Sequence, residues 1–242
     1  MQKRRLSLGP VAGAAPATHA SNAAWRVDDR AWCHDDEAGF VLCTVTSASA
    51  DKVSVRDAQG RDGELKPDEL YPVNPASQDG SRDNTELMYL QEPHMLHNLA
   101  HRYARDAIYT YTAHILIACN PFKRLPLYGE KQMRAYQGKS LGMMEPHVYA
   151  VADRAYRSMS HYKMSQAVII SGESGSGKTE TAKIVMAFLT WAGGSQKGSG
   201  GGSVEKLAEP TPQDSAAAAR SDSRAEARPD EAARLARRRR PQ

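Results

Sequence analysis

Apolar positions change their spacing several times along the chain. Between Trp25 and Pro75 they alternate over short runs. Residues 40–45 read as a strand, Val53 and Val55 repeat the two-residue period, and Asp-Ala-Gln-Gly at 57–60 is turn chemistry. About 50 residues of short strands with one apolar face bury it best by curling, which predicts a small SH3-like β-barrel over 24–76. Its core is expected to use Trp25, Trp32 and Phe40. After Asp83 the spacing becomes helical: Leu87, Leu90, Met95, Leu96, Leu99 and Tyr103 fall near helical spacing, and Pro93 suits a first turn, so one or two helices are expected within 85–105. The β-branched and aromatic run from Ile108 predicts two strands around a turn at Thr112 and Ala113, ended by Pro121. A proline-rich loop follows. Pro146 opens another helix, to about Ser160, with Val148, Val151, Ala152, Ala155, Tyr156 and Met159 on one face. Residues 166–171 have the pattern of a short buried strand. Residues 180–191 then read as a helix burying Ile184, Val185, Phe188 and Leu189, with Glu180 and Lys183 outward.

From Gly193 onward the pattern stops. No aromatic residue occurs there, and Val204, Leu207 and Leu235 are its large aliphatics. So little apolar surface does not offset about 1 to 2 kcal/mol of backbone entropy per residue, so 193–242 is expected to be a disordered tail and 1–23 a disordered leader. The tail also distorts the charge balance. The chain is +4 overall, but 10 of its 32 basic and 7 of its 28 acidic residues follow Ala192, which leaves the body near neutrality. No basic surplus on the folded part points to a nucleic-acid partner. The four arginines at 237–240 read as a solvated end. Cys33, Cys43 and Cys119 lack CxxC spacing, which suggests neither a disulfide framework nor a zinc knuckle and fits a reducing compartment; Cys119 reads as an inert core thiol. The apolar runs are far shorter than the roughly 20 residues a membrane span needs.

Between the strand at 166–171 and the helix at 180–191 lies Gly-Glu-Ser-Gly-Ser-Gly-Lys-Thr, which matches G-x-x-x-x-G-K-[ST] in its required strand–loop–helix context. A loop wrapped so that its N–H groups point inward takes conformations that Gly adopts cheaply, supplied by Gly172, Gly175 and Gly177 around Glu173, Ser174 and Ser176. The following helix adds partial positive charge at its start, Lys178 reaches outer phosphates, and the Thr179 hydroxyl suits Mg²⁺. Glu180 and Lys183, just beyond, are placed to reach a base or ribose.

With these residues in view, the stretch from about Trp25 to about Ala192 resembles the myosin motor domain. GESGSGKTETAK is similar to its phosphate loop, NPFKRLPLY to its adenine-binding loop, and DNTELMYLQEPHMLHNLAHRYARDAIYTY to the first helices and strand of its core. MEPHVYAVADRAYRSM resembles the helix ahead of the phosphate-loop strand, and the segment ending in ELYPVNP the SH3-like subdomain that many myosins carry. The resemblance implies an α/β P-loop NTPase fold, here a partial motor core over 77–192 preceded by the barrel. It implies ATP and Mg²⁺ as cofactors, with Asn120, Pro121, Lys123, Arg124 and Tyr128 on the adenine side and Glu180 and Lys183 nearby. It also implies actin filaments as the partner of the complete motor, and a cytoplasmic, cytoskeletal setting. Ser176 departs from the usual Ala, and Ala113 with His114 sits where a turn Gly is usual.

Phosphoryl transfer further needs groups that position the attacking water and complete the Mg²⁺ shell. The switch-loop patterns NxNSSRFGK and DIxGFE of myosins do not occur in these 242 residues, and Asp214, Asp222 and Asp230 follow no apolar strand. Three readings follow: an ATP-binding part of an actin-dependent motor, a catalytically silent nucleotide-binding or interaction module, and an unrelated P-loop kinase or GTPase with its base pocket elsewhere. His94, His97 and His101 share one predicted helix with no third ligand at helical spacing, and read as a solvated face.

Overall fold

A computed structural model describes residues 25–195. The leader, nearly all of the tail and the 237–240 arginines lie outside the described residues. The chain divides into two compact units, one ending at Ile115 and the other starting at Leu116.

The first unit opens with a five-stranded sheet of β1 (Arg30–Asp35), β2 (Gly39–Ala48), β3 (Val53–Asp57), β4 (Asp62–Leu65) and β5 (Tyr71–Pro72), in the order β4-β3-β2-β1-β5 with every pair antiparallel. Alternation sends Ala31, Cys33, Cys43, Val45, Val53, Val55, Leu65 and Leu70 to one face, where they form the core. The expected aromatic core is corrected here. Trp25 only flanks this cluster, while Trp32 packs on His97 and Phe40 lies edge-on to His34 and Tyr71. The inward positions of such short strands hold small side chains, and the bulky rings seal the rim. Two tight turns are tied together by Arg61, which bonds the buried carboxylates of Asp35 and Asp57. The Ala38 N–H, then the Glu37 N–H and Arg61, hold the Asp35 carboxyl below its ordinary range against the opposing effect of burial.

Helix α1 (Glu92–Tyr103) inverts the expectation drawn from its apolar spacing. Leu90 before it, and Leu96 and Tyr103 within it, are exposed, while His94, Asn98 and Arg102, four residues apart, are buried. Each of these side chains donates to an oxygen of a neighbouring segment. His94 Nε2–H donates to the Pro72 carbonyl, and Asn98 donates to Ser81 O at 3.0 Å and Asn84 Oδ1 at 2.8 Å. Arg102 spreads its fork over Thr110 Oγ1 (3.0 Å), Gly80 O (3.0 Å) and Tyr109 O (2.9 Å). This face of the helix meets loop carbonyls at Gly80 and Ser81 and strand oxygens at Pro72, Tyr109 and Thr110, all of which need donors. Strand β6 (Tyr109–Thr112) pairs with β7 (Ile115–Ala118). Their turn falls on Ala113 and His114, one residue later than the pattern suggests, because Asp83 Oδ1 accepts the Ala113 N–H at 3.1 Å and fixes it at φ 52°.

The second unit is helical. Helix α2 (Glu130–Tyr136) lies where the sequence suggests only loop, starting after Gly129 at φ 127° and carrying a Glu130–Arg134 pair. Helices α3 (Val148–Tyr162) and α4 (Lys178–Ser195) follow. Phe188 of α4 is buried against Tyr149 of α3, with ring centroids 5.2 Å apart, and Val185, Ala187, Trp191 and Ala192 complete the buried face. Ile184 and Leu189 are only half-buried, and α4 runs past Trp191 through Gly193 and Gly194. The expected strand at 166–171 is absent. A strand is made by its ladder, and among the described residues none pairs with this segment, so Ile169 is 89% exposed. No described helix is long and apolar enough to cross a membrane.

Arg102→Met should destabilise the chain by about 3 kcal/mol in urea unfolding followed by tryptophan fluorescence, since buried acceptors lose their donors. Arg102→Lys should recover only a minor part, because an ammonium does not reproduce the fork.

Candidate functional site

The loop at 172–179 turns on three glycines, Gly172 at φ 155°, Gly175 at 80° and Gly177 at 92°. At Gly172 the requirement is also steric, because a Cβ there would lie 2.6 Å from Ser176 Oγ. The loop closes on itself through Ser176 N–H to Glu173 O at 3.2 Å. Helix α4 begins on the Gly177 carbonyl, which accepts the Thr181 N–H at 2.9 Å and its hydroxyl at 3.0 Å. The earlier N–H groups of that first turn have no carbonyl behind them in the helix, and add to the positive end of its dipole.

Lys178 folds back across the loop, its ammonium donating to Gly172 O at 2.8 Å and Glu173 O at 2.6 Å. The cation therefore sits among loop carbonyls, at the centre of the turn. Thr179 is exposed beside it in the first turn, and Ser174 is exposed at the loop's outer edge. Glu180 and Lys183 pair with each other at 2.7 Å, one turn along α4.

Of the residues in the 120–128 loop, Asn120 reaches the glycine loop directly: its Nδ2 donates to Gly175 O at 2.8 Å, across 55 residues of sequence. Its Oδ1 accepts the Phe122 N–H at 3.0 Å and holds Phe122 at φ 50°. Pro121 is half-buried, and Lys123 and Arg124 are exposed on the same loop. Tyr128 packs against His147 and Tyr149, at centroid distances of 5.7 and 6.2 Å.

His147, which the pattern of the sequence does not single out, anchors this loop. Its Nδ1 accepts the Tyr149 N–H at 3.0 Å as the N-cap of α3, and its Nε2–H donates to the Leu127 carbonyl at 3.1 Å. Those two bonds fix the neutral tautomer. Tyr136 stacks on the ring at 4.8 Å, and the Tyr149 hydroxyl accepts the Gly129 N–H. A Pro-His pair just before a helical pattern is the available sequence signal, and it marks a cap without revealing the loop it holds. Burial pushes the imidazole down to about 4, against the smaller opposing effect of the Leu127 carbonyl. Burial likewise pushes the Cys119 thiol up, in keeping with an inert thiol.

Comparison with known proteins gives a consistent picture. The profile of the myosin head (motor domain) matches residues 81–212, more than half of the chain. Myosin-8 of Arabidopsis thaliana is 43% identical over 191 residues, covering 77% of this chain and 13% of that protein. Unconventional myosin-VI of Bos taurus is 44% identical over 168 residues, 68% of this chain and 13% of that protein. Myosin-J heavy chain of Dictyostelium discoideum is 43% identical over 165 residues, 67% and 7% of the two chains. The chain thus spans about an eighth or less of the length of these relatives.

The His147 clamp makes stability depend on pH. Between pH 6.5 and about 4 the unfolded chain takes up a proton that the folded imidazole refuses, so stability should fall on acidification through that window, by something of the order of 3 kcal/mol. Urea midpoints across this range check the slope. His147→Asn, which keeps a capping acceptor and removes the titration, should flatten it.

Proposed function

This chain belongs to the myosin motor-domain family, and from that premise we propose that its glycine loop and the loop anchored by His147 form one Mg-ATP-binding site. The observation that carries the reading is the Asn120 bond to Gly175 O, which ties the candidate adenine loop to the candidate phosphate loop. The residues fit such a group. The loop is open at Gly175 and Gly177, where nothing lies within 4 Å of the position a Cβ would take, and Lys178 already satisfies its ammonium with loop carbonyls at the place where phosphate oxygens would compete for it.

In this reading the N–H groups of residues 172–179 and the start of α4 cradle the phosphates, Lys178 transfers its ammonium from carbonyl to phosphate oxygen, and the Thr179 hydroxyl ligates Mg²⁺. Asn120, Pro121, Lys123, Arg124 and Tyr128 border the adenine, and Glu180 and Lys183 approach the ribose side. Bound Mg-ATP supplies the anhydride and the Lewis acid. The sheet of the first unit is read as the SH3-like barrel of the family. The whole protein is read as an actin-dependent ATPase of the cytoskeleton, moving on actin filaments.

Lys178→Ala should weaken ATP binding by roughly 1.5 to 3 kcal/mol, about 10- to 150-fold, in an equilibrium titration. Unchanged affinity would reject the assigned role. Replacement of Tyr128 or Lys123 should weaken ATP more than inorganic triphosphate, and an equal response to both would move the base pocket elsewhere.

A further inference from the structure

Helix α1 uses one face to bind loops, and its neighbouring histidines fall at the margin of that face. His97 and His101 are one turn apart, with ring centroids 6.2 Å from each other. The chain brings them a third ligand that no helical spacing reveals. Asp79, at the end of the short turn Ala76–Gln78, places its Oδ1 3.3 Å from His97 Nε2. One ligand atom from each of Asp79, His97 and His101 lies within 4.8 Å of the other two.

The loop is held in this position by the helix itself. Gly80, at φ 80°, presses its backbone on His101 so closely that a Cβ would lie 3.2 Å from the ring. Arg102 Nη1 takes the Gly80 carbonyl and Asn98 Nδ2 the Ser81 carbonyl, both at 3.0 Å. Trp32 packs on His97 at a centroid distance of 5.1 Å. His94 is occupied with the Pro72 carbonyl and takes no part. Two ligands on a rigid helix and a third on a pinned loop make a preorganised set.

We propose that Asp79, His97 and His101 form a binding site for one divalent cation of the zinc class. Two imidazoles and one carboxylate are a ligand set that zinc takes in tetrahedral geometry, with water in the fourth position. Metal–ligand bonds of about 2.0 to 2.1 Å put tetrahedral ligand atoms about 3.3 to 3.4 Å apart, the separation Asp79 and His97 already have. Closing the remaining separations, of up to 4.8 Å, requires the His101 ring and the Asp79 carboxylate to shift toward the ion. The bound ion cross-links the loop at 76–81 to α1 and stabilises the first unit by the free energy of binding. The site belongs to the first unit, and the proposal is independent of the nucleotide reading.

The test is Zn²⁺ titration of the untagged full chain by calorimetry, with Co²⁺ as a spectroscopic probe. One equivalent should bind, raise the thermal midpoint and give the visible absorption of tetrahedral Co²⁺. Asp79→Asn and His101→Gln should each weaken binding at least about tenfold, and His97→Gln/His101→Gln should abolish the thermal shift. His161→Gln, on α3, should leave all of this unchanged. The variants' metal-free thermal midpoints show whether each has folded. Absence of binding to the wild-type chain, or uptake and thermal shift unaltered in a folded double variant, overturns the proposal.

Discussion

A buried hydrogen-bonding group must find a partner, and in this molecule that constraint decides where helices lie. Arg102 is the clearest case: one guanidinium serves Thr110, Gly80 and Tyr109, so a loop, a strand and a helix are registered by a single planar fork. Asn98 and Asn84 extend the same network, and Asn84 reaches Thr112. Burying these groups brings little hydrophobic gain, but leaving any one of them unmatched costs about 1 to 3 kcal/mol, which makes the arrangement specific. In the second unit His147 has the corresponding place. One ring caps α3, holds Leu127 and stacks between tyrosines, and Tyr149 passes the connection to Phe188 on α4.

The consequence for the site is a division of labour between backbone and side chain. The glycine loop supplies curvature, and its shape follows from three residues without β-carbons. Its surroundings are set by side chains far from it in sequence, since Asn120 fastens Gly175 and His147 fastens the far end of Asn120's loop. Ser176 adds a local coupling. Its hydroxyl fills the space above Gly172, so the two positions constrain each other sterically in a way that a smaller residue at 176 would relax.

Legibility followed the reach of each signal. The strands around Cys43 and Val55, the start of α3 and the glycine loop were readable because alternation, proline position and a fixed motif act over a few residues. The polar buried face of α1 is not legible, because apolar spacing marks a burying face only where the neighbour is apolar, and the neighbours of His94, Asn98 and Arg102 are backbone and side-chain oxygens of loops and strands. Helix α2 was missed because seven residues carry too little periodicity. The segment 166–171 has the composition of a buried strand, but composition does not provide a ladder. Asp79 beside His97, Asn120 beside Gly175 and the role of His147 are tertiary facts, and no local pattern encodes them.

The unladdered segment has a further property. Around Ile169 the backbone joins no described ladder, and the apolar side chains of Val168, Ile169 and Ile170 beside it are half-buried or exposed. Main-chain pairing does not distinguish one side chain from another. It distinguishes length, direction and phase. The segment is thus a vernier rather than a lock: a companion strand of suitable length would be graded by how many rungs it completes, and a slip of one residue would turn its flank from greasy to wet. A companion strand would be counted in units of one peptide, beside the point where the glycine loop begins.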